Sequence, residues 1–177
     1  MSQRVLVAYA TKYGATAEIA ERIGQSLRQA GLEVDVAEIK PALDLTPYAA
    51  VVVGSAVYAG AWRREAIEFL QGQSETLSKR PLWIFSSGPT GEGDPVTLLK
   101  GWRVPEGQRH LVERLQPRDV TVFHGNIDTE KLNLAEKLMI SVIKAPTGDF
   151  RNWEAIEAWA GGIAAALQES GALQSAR

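Results

Sequence analysis

The chain has 177 residues, of which 45% are apolar and 23% are charged, and this suits a globular domain with a full core. A net charge of −2 provides no basic surface of the kind that binds nucleic acid. The absence of cysteine and the presence of only two histidines exclude disulfides, thiolate catalysis and cysteine or histidine metal clusters. Redox chemistry therefore requires a bound cofactor, because no side chain here supplies it.

The chain is expected to form one domain without a targeting or membrane segment. Residues 1–4 lead directly into a short apolar strand, whereas a secretory signal has a longer apolar core. No segment approaches the roughly 18 consecutive apolar residues of a membrane span, so we expect a cytoplasmic location. Without any linker or repeat, residues 1–170 are predicted to be a single domain, and 171–177 a frayed tail.

The first half of the chain alternates predicted strands and helices. Residues 4–10 form a short apolar run, which is typical of a strand buried on both faces. In the next segment apolar residues recur at helical spacing from Ile19 to Ala30, and Gly31 suits the C-terminal cap of this helix. Residues 32–36 alternate apolar and acidic side chains, as a strand nearer a sheet edge does.

The second half continues the alternation. Residues 49–55 and 81–87 are apolar runs typical of buried strands, and they flank a helix predicted over 62–77. Five glycines mark 88–107 as a loop. The remaining elements are a short helix, a fifth strand and a last helix, at 108–115, 120–125 and 152–169. This order predicts an α/β fold, a three-layer sandwich in which helices cover both faces of a five-stranded parallel sheet.

One predicted helix, 131–145, is additional to this minimal pattern. It places Leu134, Leu138, Met139 and Val142 at helical spacing between the fifth strand and the last helix. Lysines border this apolar face. Two structural roles are open, namely packing on the domain's own sheet edge and packing on a second subunit in a homodimer. Two functional roles are also open, namely a substrate lid and a contact with a membrane surface.

The first of three loops with candidate chemistry joins the first strand to the first helix. It consists of Thr11, Lys12, Tyr13, Gly14, Ala15 and Thr16. The hydroxyls of Thr11 and Thr16 and the amides of the helix start suit a phosphate, and Gly14 lets the backbone curl around it. The alternative is a plain turn with a threonine cap. Because the GxGxxG and Gly-Lys-Ser/Thr patterns are absent, a monophosphate with one cation, Lys12, fits best.

Two further loops have the composition of a site for a flat ligand. The second loop spans 54–62, and its expected binding residues are Ser55, Ala56, Val57, Tyr58, Gly60 and Trp62. Either Tyr58 or Trp62 is expected to stack on the ligand, unless both aromatics pack on the core. The third loop spans 86–94, and its expected binding residues are Ser87, Gly88, Pro89, Thr90 and Gly91. It offers amides and hydroxyls to a ring edge, and the alternative is a flexible solvent loop.

These loops resemble those of the flavodoxin superfamily, and the resemblance covers nearly the whole chain. The run YATKYGAT (9–16) is similar to that family's phosphate loop, and GSAVYAG and SSGPTGEG stand where its two isoalloxazine loops stand. Within the superfamily, the chain resembles the flavodoxin-domain family that includes the menaquinone-dependent protoporphyrinogen dehydrogenase. This closer likeness rests on the first two loops, the extra helix and the entry Asp149…Trp153-Glu154 to the last helix. The resemblance implies non-covalently bound FMN.

Three functions are compatible with these observations. The first is an FMN oxidoreductase that acts on a small organic partner such as a quinone or protoporphyrinogen. The second is an electron carrier that docks on redox proteins, and the third is a fold that has lost FMN and acts only as a binding module. A carrier gains docking speed from a strong surface of one sign, for which a net charge of −2 is weak.

Charges near the expected flavin rim are mixed. The loops that form this rim contain three cations, Lys12, Arg63 and Arg64, and two acidic residues, Glu92 and Asp94. Positive charge near the ring would favour an anionic reduced flavin, which suits an oxidoreductase more than a low-potential carrier. No residue is identified as catalytic, and the two histidines are expected to be structural or exposed.

Overall fold

A parallel sheet organises the chain, as the apolar runs predict. The computed structural model describes residues 4–175, with side chains as far as 171. Its main strands are β1 (Arg4–Ala10), β2 (Glu33–Glu38), β3 (Ala50–Tyr58), β4 (Ala61–Trp62), β5 (Leu82–Ser87) and β6 (Asp119–Phe123). Five of them run parallel in the order β2-β1-β3-β5-β6, and β4 pairs antiparallel with β3. The predicted five-stranded parallel sheet is confirmed, and its order is that of a flavodoxin-like fold, in which the strand order reverses between β1 and β3.

Helices cover both faces of the sheet. They are α1 (Ala15–Gln29), α2 (Arg64–Gly72), α3 (Ser74–Leu77), α4 (Pro95–Leu98), α5 (Arg109–Leu115), α6 (Leu134–Ile143) and α7 (Trp153–Ser175). Apolar side chains of α1 and α7 pack on one face. Those of α2, α3 and α5 pack on the other face. Two short strands, β7 (Asn126–Ile127) and β8 (Gly148–Asp149), pair antiparallel as a separate ribbon.

Burial follows directly from this layering. Residues 5–8 of β1 have no exposed surface, because the central strand is covered on both faces. The predicted apolar stripe of α7 is also buried, with Ile156, Ala160, Ile163 and Leu167 all in the core. Full burial of each such aliphatic side chain stabilises the fold by roughly 1.5–3 kcal/mol relative to exposure.

The end of α1 matches its prediction. Gly31 has a φ of 90°, and its N–H donates to the carbonyl of Arg28. The next N–H, of Leu32, donates to the carbonyl of Leu27. This pair of hydrogen bonds is a Schellman cap, which needs the left-handed backbone that glycine adopts freely. The chain then enters β2 beside β1.

Several predicted boundaries are wrong. The expected helix at 62–77 begins with β4 and then divides into α2 and α3. The expected loop at 88–107 contains α4 and part of a 3-10 turn, Glu106–Gln108. The last helix continues to Ser175, beyond the predicted end at 169. The predicted frayed tail at 171–177 runs into residues outside the described part of the chain, so its fraying stays a prediction.

The extra helix exists, but it does not pack on the sheet edge. A 3-10 turn, Thr129–Lys131, leads into α6, whose Leu134, Leu138 and Val142 have 86%, 66% and 72% of their surface exposed. The prediction that the apolar face of α6 packs on the domain's own sheet edge is therefore wrong. Within residues 4–175, no helix has both the length and the apolar character to cross a membrane.

Candidate functional site

Three candidate loops begin side by side at the carboxyl ends of neighbouring strands. The last residue of β1, Ala10, is in register with Ser55 of β3, and Ala56 of β3 is in register with Ser87 of β5. The first, second and third loops therefore meet where the strand order reverses. Doubly wound sheets bind their ligands at this position.

The first loop presents an uncapped helix start. Gly14 has a φ of 94°, which places it in the left-handed region, and its N–H donates to Thr11 Oγ1 at 3.0 Å. Among the described residues, no side chain caps the first turn of α1, and Thr16 is buried in that turn. The predicted alternative, a plain turn with a threonine cap, is therefore wrong. Free amides at a helix start and the helix dipole together favour an anion.

A buried carboxylate from α6 gathers side chains of the first and second loops. Glu136 accepts hydrogen bonds from Lys12 Nζ, from the Tyr13 hydroxyl and, at 3.0 Å, from the Tyr58 hydroxyl. The ammonium of Lys12 also lies 4.0 Å from the centre of the Tyr58 ring. With these partners and the backbone N–H of Asn133, the pKa of Glu136 falls to about 2, chiefly because Lys12 and Tyr13 donate to it. The carboxylate is thus ionised and fastens α6 to both loops.

This cluster changes the role predicted for Lys12. The ammonium forms an ion pair with Glu136, and this pairing raises the pKa of Lys12. Lys12 therefore offers a phosphate less positive charge than the sequence indicates. Sequence reasoning missed Glu136 as a site residue, although Asn133 and Glu136 form a capping box whose N-x-x-E spacing is visible in the chain.

The second loop is a tight hairpin. Residues expected in a loop, from Ser55 to Tyr58, extend β3, and Tyr58 pairs with Ala61 of β4. Ala59 and Gly60 form the turn with φ values of 51° and 76°. Positive φ at both central positions matches a hairpin turn whose twist suits its strands. The hairpin holds the half-buried Ala56, Val57 and Tyr58 beside the first loop.

Of the two candidate stacking residues, only Tyr58 keeps exposed surface. Trp62 is 4% exposed and packs in the core, and its indole N–H donates to Ser86 Oγ at 2.8 Å. Stacking by Trp62 is therefore wrong, and this residue follows the alternative in which an aromatic packs on the core. Ser55 is also buried, and its hydroxyl accepts from the N–H of Arg63 and donates to Ala56 O, so it supports the hairpin.

The third loop is bonded to the end of β6. Gly88 N–H donates to Phe123 O, and Gly125 N–H donates to Pro89 O. The imidazole of His124 is nearly buried, with Nδ1 3.1 Å from Pro89 O and Nε2 2.7 Å from Gly93 O. These contacts argue against the alternative prediction, in which the third loop is a flexible solvent loop. They also give His124 the structural role expected for it.

Side chains in this loop have different exposures. Ser87 and Gly91 are buried, whereas Gly88, Pro89 and Thr90 are half-buried beside β3 and β6. A Cβ on Gly88 would lie 3.1 Å from Val57 Cβ, so glycine allows the second and third loops to approach closely. The half-buried segment of the third loop thus borders the second loop.

The other histidine, His110, is fully exposed on α5 next to Glu113.

Comparison with known proteins identifies the family of this chain. A sequence model of the flavodoxin domain family matches residues 6–153. The chain belongs to this family. Among solved structures, it is similar to a cysteine-to-serine mutant of flavodoxin from Pseudomonas aeruginosa, with 18% identity, a TM-score of 0.57, and coverage of 93% of this chain and 99% of that chain.

Two other solved structures give comparable matches. The WrbA-like flavodoxin of Agrobacterium tumefaciens has 12% identity and a TM-score of 0.57, over 95% of this chain and 99% of that chain. Rubredoxin oxygen:oxidoreductase of Desulfovibrio gigas has 16% identity and a TM-score of 0.59, over 95% of this chain and 37% of that longer chain. At these identities the neighbours establish the fold alone. No curated protein matches the chain significantly.

Membership of the flavodoxin domain family implies a flavin cofactor, typically FMN. The donor set of the first loop fits the phosphate of FMN, since Gly14 opens the backbone and the start of α1 has no side-chain cap. Tyr58 in the second loop and the backbone of the third loop would hold the ring. When bound, the flavin supplies the electron-transfer chemistry, while the protein positions it and excludes competing contacts.

Arg151 is a second site residue that sequence reasoning missed. Its guanidinium donates to both carboxylate oxygens of Asp149, at 2.8 and 2.7 Å, and to the carbonyl of Ala15 at 3.3 Å. It also pairs with Glu18 and lies 4.7 Å from the Trp153 ring centre. The pKa of the Asp149 carboxyl is lowered by this arginine. Arg151 thereby clamps the first turn of α1, whose amides would meet the phosphate of a bound FMN.

Proposed function

We propose that this flavodoxin-domain protein is an FMN-dependent oxidoreductase whose partner is a small, apolar organic molecule of the quinone or protoporphyrinogen type. The observation that carries the proposal is α6. This helix is fastened to the flavin loops through Glu136, and it exposes large apolar side chains beside them. An apolar surface at the edge of a flavin site suits a hydrophobic ring system.

Surface charge also favours a small partner over a protein partner. Predicted rim cations are each paired with a carboxylate, Lys12 with Glu136, Arg63 with Glu65 and Arg64 with Glu68. These three cations therefore do not create the strong single-sign field that speeds docking of a carrier. Because these cations are paired, they also favour an anionic reduced flavin less than the sequence alone indicates.

Between the two partner types, the quinone is the better match to the charges near α6. Porphyrin propionates are best bound by arginines that form two hydrogen bonds to a carboxylate. Arg151 lies just beyond the segment from β7 to β8 (126–149), which we call the insertion, and it already uses its guanidinium on Asp149 and Ala15. A neutral quinone makes no such demand.

Cofactor binding is tested first, by quenching of flavin fluorescence. FMN is expected to bind more tightly than riboflavin and FAD, because the first loop suits a terminal monophosphate. Loss of one charge-assisted hydrogen bond in Thr16→Val should cost about 1.5–3 kcal/mol of FMN binding. Equal affinity for riboflavin and FMN, or unchanged FMN affinity in this variant, would contradict the phosphate assignment.

Partner choice is tested next, in anaerobic stopped-flow experiments on the FMN-loaded protein. Dithionite-reduced protein is mixed with a water-soluble naphthoquinone, and oxidised protein is mixed with protoporphyrinogen, while the visible flavin absorbance is followed. Reoxidation by the quinone faster than that of free reduced FMN supports the proposal. If neither partner reacts faster than with free flavin, the small-molecule role is wrong and the carrier role is preferred.

A further inference from the structure

An exposed apolar face lies on α6. We call the side chains of Leu134, Leu138, Met139, Val142 and Ile143 the α6 face. Each has at least 37% of its surface exposed. In the described part of the chain, the only other large apolar side chain with comparable exposure is Leu98 of α4, at 41%. Such a concentration in one place marks an interaction surface.

The α6 face continues to the third loop. A Cβ on Gly91 would lie 3.4 Å from Pro146 Cγ and 3.9 Å from Leu98 Cδ1. Leu98 and the segment that leaves α6 therefore meet at Gly91. At its other end, α6 is held by Glu136 on the first and second loops. The exposed apolar surface thus borders all three flavin loops.

The charge on α6 is of one sign where it is exposed. Its only acidic residue, Glu136, is buried in the contact with Lys12, whereas Lys137 and Lys144, the residue directly after the helix, are both exposed. In the preceding turn, Lys131 and Glu130 are both exposed, so their charges offset each other. Exposed lysines beside an apolar stripe are complementary to an anionic interface with an apolar interior.

A second copy of the chain fits this surface less well. Ten residues of helix are about 15 Å long and about 10 Å wide, so their footprint is far below the roughly 800 Å² that each partner contributes to a stable interface. A lipid surface needs no complementary protein patch of that size, and a helix immersed by about 5–10 Å buries its apolar side chains directly, with electrostatic attraction to anionic lipids adding to the binding.

We propose that the α6 face and Leu98 dock on the surface of an anionic lipid bilayer. Because α6 is fastened to the flavin loops, docking turns these loops toward the membrane. If the proposed function holds, docking also brings the flavin to redox partners dissolved in the lipid.

The test is co-sedimentation of the FMN-loaded protein with vesicles at low salt. Binding is expected to phosphatidylcholine vesicles that contain phosphatidylglycerol, weaker binding to pure phosphatidylcholine, and release by added salt. Leu138→Gln with Val142→Gln should lower the partition coefficient by about tenfold or more. Lys137→Gln and Lys144→Gln should each lower it roughly fivefold on anionic vesicles.

A matched control removes a lysine elsewhere. Lys79→Gln breaks an exposed ion pair with Glu75 and should leave vesicle binding unchanged, because Lys79 lies just before the amino end of β5, whereas the three loops follow the carboxyl ends of their strands. FMN affinity, measured for every variant, reports that the fold and the flavin loops are intact.

Three results would overturn the membrane proposal. The first is no sedimentation of the intact protein with anionic vesicles, and the second is equal sedimentation of the Leu138/Val142 double variant. The third is a dimer in analytical ultracentrifugation that the double variant dissociates, which would assign the face to a second copy. Vesicle binding needs no turnover, and the naphthoquinone assay needs no vesicles, so failure of one proposal is distinguishable from failure of the other.

Discussion

Replacing Arg151 by methionine tests whether the phosphate loop depends on a residue far away in the sequence. Methionine keeps the aliphatic stem but removes every guanidinium contact, including those to Asp149, Glu18 and Ala15 O. Because Ala15 and Glu18 belong to the first turn of α1, their release should loosen the amides that meet the phosphate. We therefore expect two effects, one on stability and one on FMN binding.

The size of both effects follows from burial. Only 6% of the Arg151 side chain is exposed, while its partners Asp149 and Glu18 are 45% and 64% exposed. Breaking a fully buried pair costs about 3–5 kcal/mol, and the exposed partners here regain water, so about 2 kcal/mol is expected. For a chain of this length, that lowers Tm by about 4–8 °C. Loss of order at Ala15, equivalent to about one hydrogen bond, should weaken FMN binding roughly fivefold.

Arg22 offers a matched control for this measurement. Its guanidinium also lies 4.7 Å from the Trp153 ring centre and pairs with a carboxylate, Glu157, but it has no hydrogen bond to Ala15 O. Calorimetry and flavin titration of Arg22→Met and Arg151→Met are compared side by side. If both variants bind FMN as tightly as the parent protein, or if both weaken FMN equally, Arg151 has no particular role at the phosphate loop.

Three further outcomes are expected. Gly14→Val should raise the Kd of FMN about tenfold, because a left-handed φ costs a branched residue roughly 1–2 kcal/mol, and titration checks this. Glu136→Gln should speed tryptic cleavage after Lys137 several-fold. In the parent protein, an acid-tolerant protease should likewise cleave α6 faster at low pH. The pKa of Glu136 lies at about 2, below its usual 4.5, so the docking of α6 is complete above pH 4.5 and is lost as the pH falls toward 2. Tyr58→Ala should alter the bound flavin spectrum, whereas Trp62→Phe should lower Tm and leave that spectrum unchanged.

Each of these outcomes has a contradicting result. Equal cleavage rates for Glu136→Gln and for Glu130→Gln, an exposed neighbour in the preceding turn, would remove Glu136 as the anchor of α6. A spectral change in Trp62→Phe but not in Tyr58→Ala would reverse the stacking assignment. FMN affinity unchanged in Gly14→Val, with native circular dichroism, would move the phosphate elsewhere.

Local patterns predicted the sheet and the order of its elements well. Apolar runs, helical spacing and the Gly31 cap depend on neighbours a few residues apart, and a sequence displays these directly. The second loop was misjudged for a related reason. Its glycines and aromatics resemble a loop, but strand β3 runs on to Tyr58, because β4 turns back at Ala59 and Gly60 to pair with it.

The long-range contacts of the site could not be predicted in this way. Glu136 meets Lys12 across 124 positions, and Arg151 meets Ala15 across 136 positions. Nothing in the local sequence selects these partners among the other charged residues. The periodicity of α6 indicated an apolar face, but it carried no information about what covers that face, and here the sheet does not.

These two contacts bracket the insertion and give it a mechanical relation to the flavin site. The ribbon of β7 and β8 closes the base of the insertion, with Asn126 opposite Asp149. From its first half, Glu136 holds Lys12 and Tyr13, and from just beyond its end, Arg151 holds Ala15. Displacement of α6 is therefore expected to move residues of the phosphate loop. If vesicle docking changes FMN affinity by some factor, FMN must change vesicle affinity by the same factor, because linkage is reciprocal. Measuring both halves of this cycle distinguishes coupling through these contacts from independent binding, for which both factors equal one.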